Sequence, residues 1–264
     1  MATKAIKRVL VLHGYSQNAT VLSKRLGALR KEGKELEFVF VNAPHILAPA
    51  EMFAAPPAQL DSQGPAAGGP TAEEMQADEA TALRGWWQPS KDGTVARGLE
   101  ESIMSLREVL RGAVFDGVFG FSQGAGLAAV LAALLERPHL YPPFLVDGAA
   151  PHPPFKFCVS VSGFRLRDPL SDTLFAAPYT TPTLHVLGRT DVVVTEERSR
   201  QLVALSAAAR VEEHDGGHFV PSKGPWRKFL VGWMKDPAAQ LVAPGAAAAN
   251  VDSSGTSTPV PGEA

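Results

Sequence analysis

The segment from residue 115 to residue 135, FDGVFGFSQGAGLAAVLAALL, constrains the fold of this chain more than any other stretch. A short apolar run, typical of a buried strand, passes into a small-residue helix with Ser122 at the joint. Residues 120–124 match G-x-S-x-G, in which a sharp strand-to-helix turn raises the serine hydroxyl above a sheet. The pattern alone also fits a purely structural turn, but its place between strand and helix favours Ser122 as a nucleophile.

Strand-like and helix-like segments alternate along the rest of the chain. Strands are predicted at residues 9–12, 38–41, 157–161, 184–187 and 211–214, and helices at 19–32, 97–111, 196–208 and 225–234. Apolar strands that alternate with helices of about a dozen residues indicate a parallel sheet covered on both faces. Together with the serine turn, this pattern predicts an α/β-hydrolase fold, with a mostly parallel central sheet and helices on both faces.

The 264 residues are predicted to form one domain and a tail. The α/β-hydrolase domain covers residues 1–235, and within it residues 49–92 form an irregular insertion near the predicted active site. Residues 236–264 contain no aromatic side chain and no periodicity, so we predict a disordered C-terminal tail.

Composition excludes several kinds of function. A formal net charge of −2 gives no electrostatic reason to expect nucleic acid or an anionic membrane as a partner. The apolar runs are too short for a signal peptide or an integral membrane span, which favours a cytoplasmic protein. Cys158 is the only cysteine, so no internal disulfide can form. Neither metal-ligand spacing nor a nucleotide-binding glycine pattern occurs, so we expect no metal and no cofactor.

A nucleophilic serine needs a base, and the base needs an orienting carboxylate. Of seven histidines, His218 in DGGHFVP follows the last predicted strand on a glycine-flexed loop, which is the position required of the base. Asp191 in LGRTD follows the preceding predicted strand and is the predicted carboxylate. Asp215 is the main rival but shares the tight loop of His218, while Asp168 and Asp172 follow an earlier strand.

Two backbone N–H groups are predicted to form the oxyanion hole, which binds the negative charge that develops on a carbonyl oxygen. One belongs to Gln123, the residue after the serine, at the start of a helix. The other belongs to Tyr15 in HGYS, directly after the first strand, where Gly14 allows the backbone to turn.

Seven motifs occur in the order LHGYSQN, NAPH, GWW, GFSQGAGLAA, VSGF, LGRTD and GGHFVP. In this combination the chain resembles the small eukaryotic enzymes called the family of serine hydrolases, over residues 8–233. The resemblance implies a triad of Ser122, Asp191 and His218 and carboxylesterase or thioesterase activity, with medium to long acyl chains favoured by some members. Some fungal members of this family are thioesterases that release polyketide chains from a synthase, so the resemblance also makes this activity possible for the chain. Residues 96–99, ARGL, depart from the aromatic-Gly-Leu found in many members.

Apolar side chains between the second strand and the helix at 97–111 are candidates for an acyl pocket, because this segment enters from the carboxyl end of the sheet. Trp86, Trp87 and Phe53 are the predicted substrate-binding residues, and of the two tryptophans one is expected to anchor the segment. Each buried methylene contributes about 0.8 kcal/mol, which predicts a preference for medium or long acyl chains over acetyl. The absence of a charge cluster in the sequence argues against anionic acyl groups.

The sequence therefore predicts a serine hydrolase that cleaves small-molecule acyl esters or thioesters of medium to long chain through an acyl-enzyme. The first alternative is a thioesterase or acyltransferase dedicated to one carrier-bound acyl or polyketide product, which needs an acyl-carrier partner. The second is a non-catalytic interaction module, which the presence of all three triad residues disfavours.

Overall fold

A six-stranded sheet organises the part of the chain that the computed structural model describes, residues 6–48 and 82–245. The strands are β1 (Lys7–Leu12), β2 (Leu36–Val41), β3 (Gly117–Phe121), β4 (Phe157–Val161), β5 (Thr183–Gly188) and β6 (Ala209–His214). They lie in the order β6-β5-β4-β3-β1-β2, and every neighbouring pair is parallel. The predicted parallel sheet is confirmed.

Helices cover the sheet. They are α1 (Ala19–Arg25), α2 (Gly27–Glu32), α3 (Leu99–Gly112), α4 (Gln123–Glu136), α5 (Pro169–Leu174), α6 (Glu196–Val203) and α7 (Gly224–Lys235). The helix predicted at 19–32 is divided at Leu26, where ψ is 9° and a glycine follows. α6 ends before the predicted residue 208, because the N–H groups of Leu205 and Ser206 form i→i+3 bonds that turn the chain towards β6.

β1 shows why the sheet is the middle layer of three. Val9 and Val11 point into the apolar cluster formed with α1, α2 and α7, whereas Leu10 and Leu12 point into the cluster formed with α3 and α4. Successive side chains of a strand lie on opposite faces, so a continuous apolar run requires helices on both sides.

α4 is buried along almost its whole length. Its residues from Gln123 to Leu135 are all buried, and a helix that is apolar all round needs apolar neighbours on every side. Small residues let it approach closely, since a Cβ on Gly124 would lie 2.4 Å from the carbonyl oxygen of Leu12. The start of α4 therefore lies next to the carboxyl end of β1. None of the helices in the described ranges is both long and apolar enough to cross a membrane.

The carboxyl ends of all six strands meet at one edge of the sheet. From β1 the chain continues to β2 on one side, and from β3 it continues to β4 on the other side. The chain therefore leaves β1 and β3 in opposite directions, which opens a crevice between the carboxyl ends of these two neighbouring strands. In open α/β sheets, ligands bind in such a crevice. The loops that follow β1, β3, β5 and β6 carry Tyr15, Ser122, Asp191 and His218.

Residues 82–92 are the part of the predicted insertion that lies within the described residues. Arg84–Gly85 pairs with His45–Ile46, and Gln88–Pro89 pairs with Ala96–Arg97, in two short antiparallel ladders. These ladders fix the segment that carries the two tryptophans. Residues 49–81 lie outside the described residues, so their irregular conformation stays a prediction.

The described chain continues ten residues beyond the predicted end of the domain at residue 235. In this stretch Ala243 is buried, and the guanidinium of Arg210 donates hydrogen bonds to the carbonyl oxygens of Ala239 and Leu241. These contacts hold this stretch of the chain against β6. Residues 246–264 lie outside the described residues, and their disorder stays a prediction.

Candidate active site

The backbone at Ser122 makes the sharp turn between β3 and α4. Its φ of 54° and ψ of −118° lie where residues with a Cβ are rare, and its N–H donates to the carbonyl oxygen of Val161 at 2.9 Å. A Cβ at Gly120 would lie 2.3 Å from the carbonyl oxygen of Gly124, so this flank requires glycine. Such backbone strain, about 1–3 kcal/mol, persists only where the surroundings hold it.

Three of the predicted side chains lie in one chain of hydrogen bonds. Nε2 of His218 lies 2.9 Å from Oγ of Ser122, and Nδ1 lies 2.8 Å from Oδ2 of Asp191. All three residues are buried, and the imidazole packs beside the ring of Phe121 with 5.0 Å between centroids. With its proton on Nδ1, the imidazole donates to the carboxylate and can accept the proton of the serine hydroxyl.

The loop after β5 holds the carboxylate of Asp191 in place. Oδ1 accepts hydrogen bonds from the N–H groups of Val193 at 2.9 Å and Val194 at 2.8 Å, which leaves Oδ2 for His218. Burial raises the pKa of Asp191, but the hydrogen bond and positive charge of His218 and the Val194 N–H outweigh it, so the pKa lies below its usual value. The carboxylate is therefore ionised at neutral pH.

The other three candidate carboxylates have partners elsewhere. Asp215 is exposed and forms an ion pair with Arg189 at 2.8 Å. Asp168 accepts hydrogen bonds from two backbone N–H groups, and Asp172 forms an ion pair with Arg165 at 2.7 Å. The carboxylate that contacts the candidate imidazole is the one that follows β5.

The two predicted oxyanion donors belong to segments that border the serine. A Cβ at Gly14 would lie 3.3 Å from the Cβ of Ser122, so the turn that contains Tyr15 lies against the serine turn. Gln123 is the first residue of α4, where a backbone N–H has no partner within the helix and forms part of the positive end of the helix dipole. Both segments can therefore direct N–H groups towards an oxygen near the serine hydroxyl.

His13 holds the loop after β1, a role that the sequence analysis did not assign. Its Nε2 accepts a hydrogen bond from the N–H of Ala43 at 3.0 Å, and its Nδ1 donates to the carbonyl oxygen of Gly14 at 2.7 Å. An acceptor at Nε2 requires the neutral ring. The one sign of this role in the sequence was that His13 is the first residue of the HGYS loop.

Trp86 and Trp87 have different surroundings. Trp86 is fully buried, and its indole N–H donates to the carbonyl oxygen of His13 at 2.8 Å. The side chain of Gln123 accepts from the backbone N–H of Trp86 at 2.7 Å and donates to the carbonyl oxygen of Trp87 at 2.8 Å. Trp87 lines a cavity of about 470 Å³. Phe53 lies outside the described residues.

Two buried histidines make the fold sensitive to acid. Burial lowers the pKa of His13 and of His185 from 6.5 to about 4. Between pH 6.5 and about pH 4 the unfolded chain binds protons that the folded chain does not. The free energy of unfolding therefore has its full value above this range and decreases as the pH falls through it. We expect the free energy of unfolding, measured in urea, to fall by about 2 kcal/mol per histidine from about pH 7.5 to about pH 5.

Substitution of one histidine tests this expectation. His185→Gln should remove about 2 kcal/mol of the pH dependence, the share of one histidine. Burial also lowers the pKa of His152 and of His214, so part of the pH dependence remains. Nε2 of His185 has no hydrogen-bond partner among the described residues, so the substitution removes no hydrogen bond at that atom. His139→Gln is the control, because His139 is exposed, and it should leave the pH dependence unchanged. An unfolding free energy that is the same at both pH values would contradict the expectation.

This chain is similar to known serine hydrolases and esterases. The family model described as Serine hydrolase (FSH1) matches residues 1–230. Esterase OVCA2 of Danio rerio is 35% identical over 240 residues, which are 86% of this chain and 96% of that protein. The dihydrofolate reductase of Schizosaccharomyces pombe is 33% identical over 229 residues, which are 86% of this chain and 46% of that protein. The chain thus spans less than half of this second relative.

A solved structure shows the same fold. The acyl-protein thioesterase 2 of Zea mays matches with a TM-score of 0.56 at 16% identity, over 89% of this chain and 94% of that chain. The predicted α/β-hydrolase fold is therefore confirmed. Because the family model covers most of the sequence and the relatives align along it, the chain belongs to the serine hydrolase (FSH1) family.

Proposed function

We propose that this serine hydrolase cleaves carboxylic ester or thioester bonds of small-molecule substrates through a covalent acyl-enzyme. The observation that carries the proposal is the chain of hydrogen bonds from Ser122 through His218 to Asp191, at 2.9 and 2.8 Å. A serine hydroxyl is a weak nucleophile until a base takes its proton during attack. The esterase name of one relative and the thioesterase name of one structural neighbour support the same two bond classes.

In the first half-reaction, Oγ of Ser122 attacks the carbonyl carbon while Nε2 of His218 accepts its proton. The carbonyl oxygen gains negative charge, which the N–H groups of Tyr15 and Gln123 bind. The imidazolium then gives its proton to the leaving alkoxide or thiolate as the C–O or C–S bond breaks. Asp191 stays ionised and stabilises the imidazolium.

In the second half-reaction, water replaces the leaving group. The imidazole of His218 takes a proton from the water as its oxygen attacks the acyl-enzyme, and the resulting intermediate releases the acid and returns the proton to Ser122. An alcohol in place of water would yield a transferase by the same steps. The choice of acceptor therefore depends on access to the acyl-enzyme and not on these side chains.

Trp87→Ala is expected to reduce kcat/KM for decanoyl esters about tenfold or more relative to acetyl esters. The ring of Trp87 lines the cavity, so a longer acyl chain loses more apolar contact when the ring is removed, at about 0.8 kcal/mol for each methylene. The measurement is kcat/KM along a series of p-nitrophenyl esters of increasing chain length.

Trp86→Phe is the control for this prediction. Trp86 is fully buried and its indole N–H is bonded to a backbone carbonyl, so its replacement should lower Tm and reduce activity equally at all chain lengths. If Trp87→Ala also reduced activity equally on acetyl and decanoyl esters, the acyl group would bind elsewhere.

Fluorophosphonate labelling tests the proposed function, because the reagent modifies serines that a neighbouring base has activated. We expect labelling at Ser122, located by mass spectrometry, together with hydrolysis of acyl esters and acyl thioesters. If Ser122 were not labelled and no ester or thioester were hydrolysed, the proposal would be rejected. A thioester that is cleaved on an acyl-carrier protein but not on a small thiol would instead support the carrier-dedicated alternative.

We also propose a cytoplasmic location. The single cysteine, Cys158, is buried, and burial raises the pKa of its thiol to about 12, so the thiol stays protonated. A chain without a disulfide does not depend on an oxidising compartment. Imaging of a fluorescent fusion tests the location, and a signal confined to an organelle would contradict it.

A further inference from the structure

Three arginines line the cavity beside the candidate site. The cavity, of about 470 Å³, lies between the loop after β4, the start of α6 and the segment that follows Trp87. Arg165, Arg167 and Arg198 line it, and among the described residues Glu197 is the acidic side chain in its lining. Arg165 and Arg167 lie in the loop after β4 and Arg198 lies on α6, so their proximity is a product of the fold.

The cavity borders the serine turn. A Cβ on Gly126 would lie 2.8 Å from the carbonyl oxygen of Phe164 and 3.7 Å from Cη2 of Trp87. Gly126 is one helical turn, about 6 Å, from Ser122. Because Trp87 and Phe164 both line the cavity, one of its walls packs against the first turn of α4, which follows the proposed nucleophile.

Arg198 is held in the cavity wall with part of its guanidinium unused. The guanidinium lies over the ring of Phe164, 4.6 Å from the centroid, and one N–H donates to the carbonyl oxygen of Val193 at 3.1 Å. A guanidinium has five N–H donors, so others remain for a ligand. Burial and then the charge of Arg167 lower the pKa of Arg198, against an opposing effect of Asp191, so the two guanidiniums repel each other.

The described residues neutralise only part of the positive charge of the cavity. Arg165 forms an ion pair with Asp172 at 2.7 Å. Within residues 6–48 and 82–245, no carboxylate forms an ion pair with Arg167 or Arg198. A guanidinium matches carboxylate and phosphate groups through paired hydrogen bonds, and a concave cationic site concentrates anions.

We propose that this cavity binds a carboxylate or phosphate group of the substrate, at a distance from the carbonyl that Ser122 attacks. The inference rests on the proposed hydrolase function. Two kinds of substrate carry such a group. In one, the acyl chain ends in a carboxylate, and in the other, the thiol leaving group is phosphorylated. The rings of Trp87 and Phe164 would contact the carbon chain between the carbonyl and the anion. This reverses the expectation that anionic acyl groups are excluded.

Two matched pairs of substrates test the proposal with the full-length enzyme. The first pair is the p-nitrophenyl ester of hexanoate and the mono-p-nitrophenyl ester of adipate, which have equal carbon chains. The second is hexanoyl-CoA and hexanoyl-N-acetylcysteamine. We expect higher kcat/KM for the anionic member of one pair, and a selective loss of that advantage at high ionic strength. A faster adipate ester assigns the anion to the acyl chain, and a faster CoA thioester assigns it to the leaving group.

Arginine variants test the site itself. Arg167→Gln and Arg198→Gln should each lower the ratio of kcat/KM for the anionic member to that for the neutral member about tenfold, the order expected for a charge-assisted hydrogen bond. Arg200→Gln is the matched control on α6, because Arg200 pairs with Glu196 and Glu213 and does not line the cavity. It should leave the ratio unchanged.

Two results would overturn the proposal while leaving the hydrolase function intact. One is efficient cleavage of the neutral substrates with no preference for either anionic member. The other is an equal loss on both members of a pair in the arginine variants. A failure to cleave any substrate, together with absent fluorophosphonate labelling, would instead reject the hydrolase function on which the inference depends.

Discussion

Ser122→Ala is expected to abolish hydrolysis of every ester and thioester while the fold stays intact. The substitution removes the oxygen that would form the acyl-enzyme, and loss of a serine nucleophile costs about 10⁶-fold in kcat in enzymes of this mechanism. The backbone turn does not depend on the hydroxyl, because the N–H of Ser122 makes the bond to Val161. The measurements are the residual rate, fluorophosphonate labelling and Tm.

Ser122→Gly separates the chemistry from the backbone strain at the same position. A φ of 54° is costly for a residue with a Cβ and is readily adopted by glycine. We therefore expect this variant to be as inactive as Ser122→Ala and at least as stable. A Ser122→Ala enzyme that still cleaves esters near the wild-type rate would show that another residue is the nucleophile.

Asp191→Asn is expected to lower kcat about 10⁴-fold without changing the fold. The carboxylate accepts a hydrogen bond from Nδ1–H of His218, whereas an asparagine can present its NH₂ group there and favour the wrong tautomer. The variant also loses the negative charge that stabilises the imidazolium. The measurements are kcat for a single ester and the rate of fluorophosphonate labelling, which should fall together.

Asp215→Asn is the matched control for this prediction. It makes the same isosteric change three residues from His218, but Asp215 is exposed and paired with Arg189. We expect kcat to stay within about twofold of the wild type, because exposed ion pairs contribute little. If Asp215→Asn were the crippling variant, the assignment of the carboxylate would be wrong.

Much of the architecture was predictable because it depends on local patterns. The apolar run at β1 has no polar face, so it required a helix layer on each side of the strand. The glycines around Ser122 followed from short-range sterics. Asp191 and His218 were predictable from their loops, since the carboxyl ends of parallel strands meet at one edge of the sheet.

Other features depended on packing between distant segments. The helix predicted at 19–32 divides at Leu26, and residues 236–245 pack on the domain although their composition resembles that of a tail. His13 was a histidine without a role until the structure placed Ala43 against its ring. Such contacts cannot be predicted from one sequence, because periodicity shows which face of a helix or strand is apolar but not which other segment packs on that face.

The sequence by itself determined the parallel sheet and the turn at Ser122, and it predicted the three side chains of the candidate site, because each follows from local sterics or from strand order. Only the tertiary structure decided which tryptophan is an anchor and which lines a cavity. It alone brought Arg167 and Arg198 together. Burial and the distance between charges depend on how separate loops pack, and this packing sets the electrostatic field that a substrate meets.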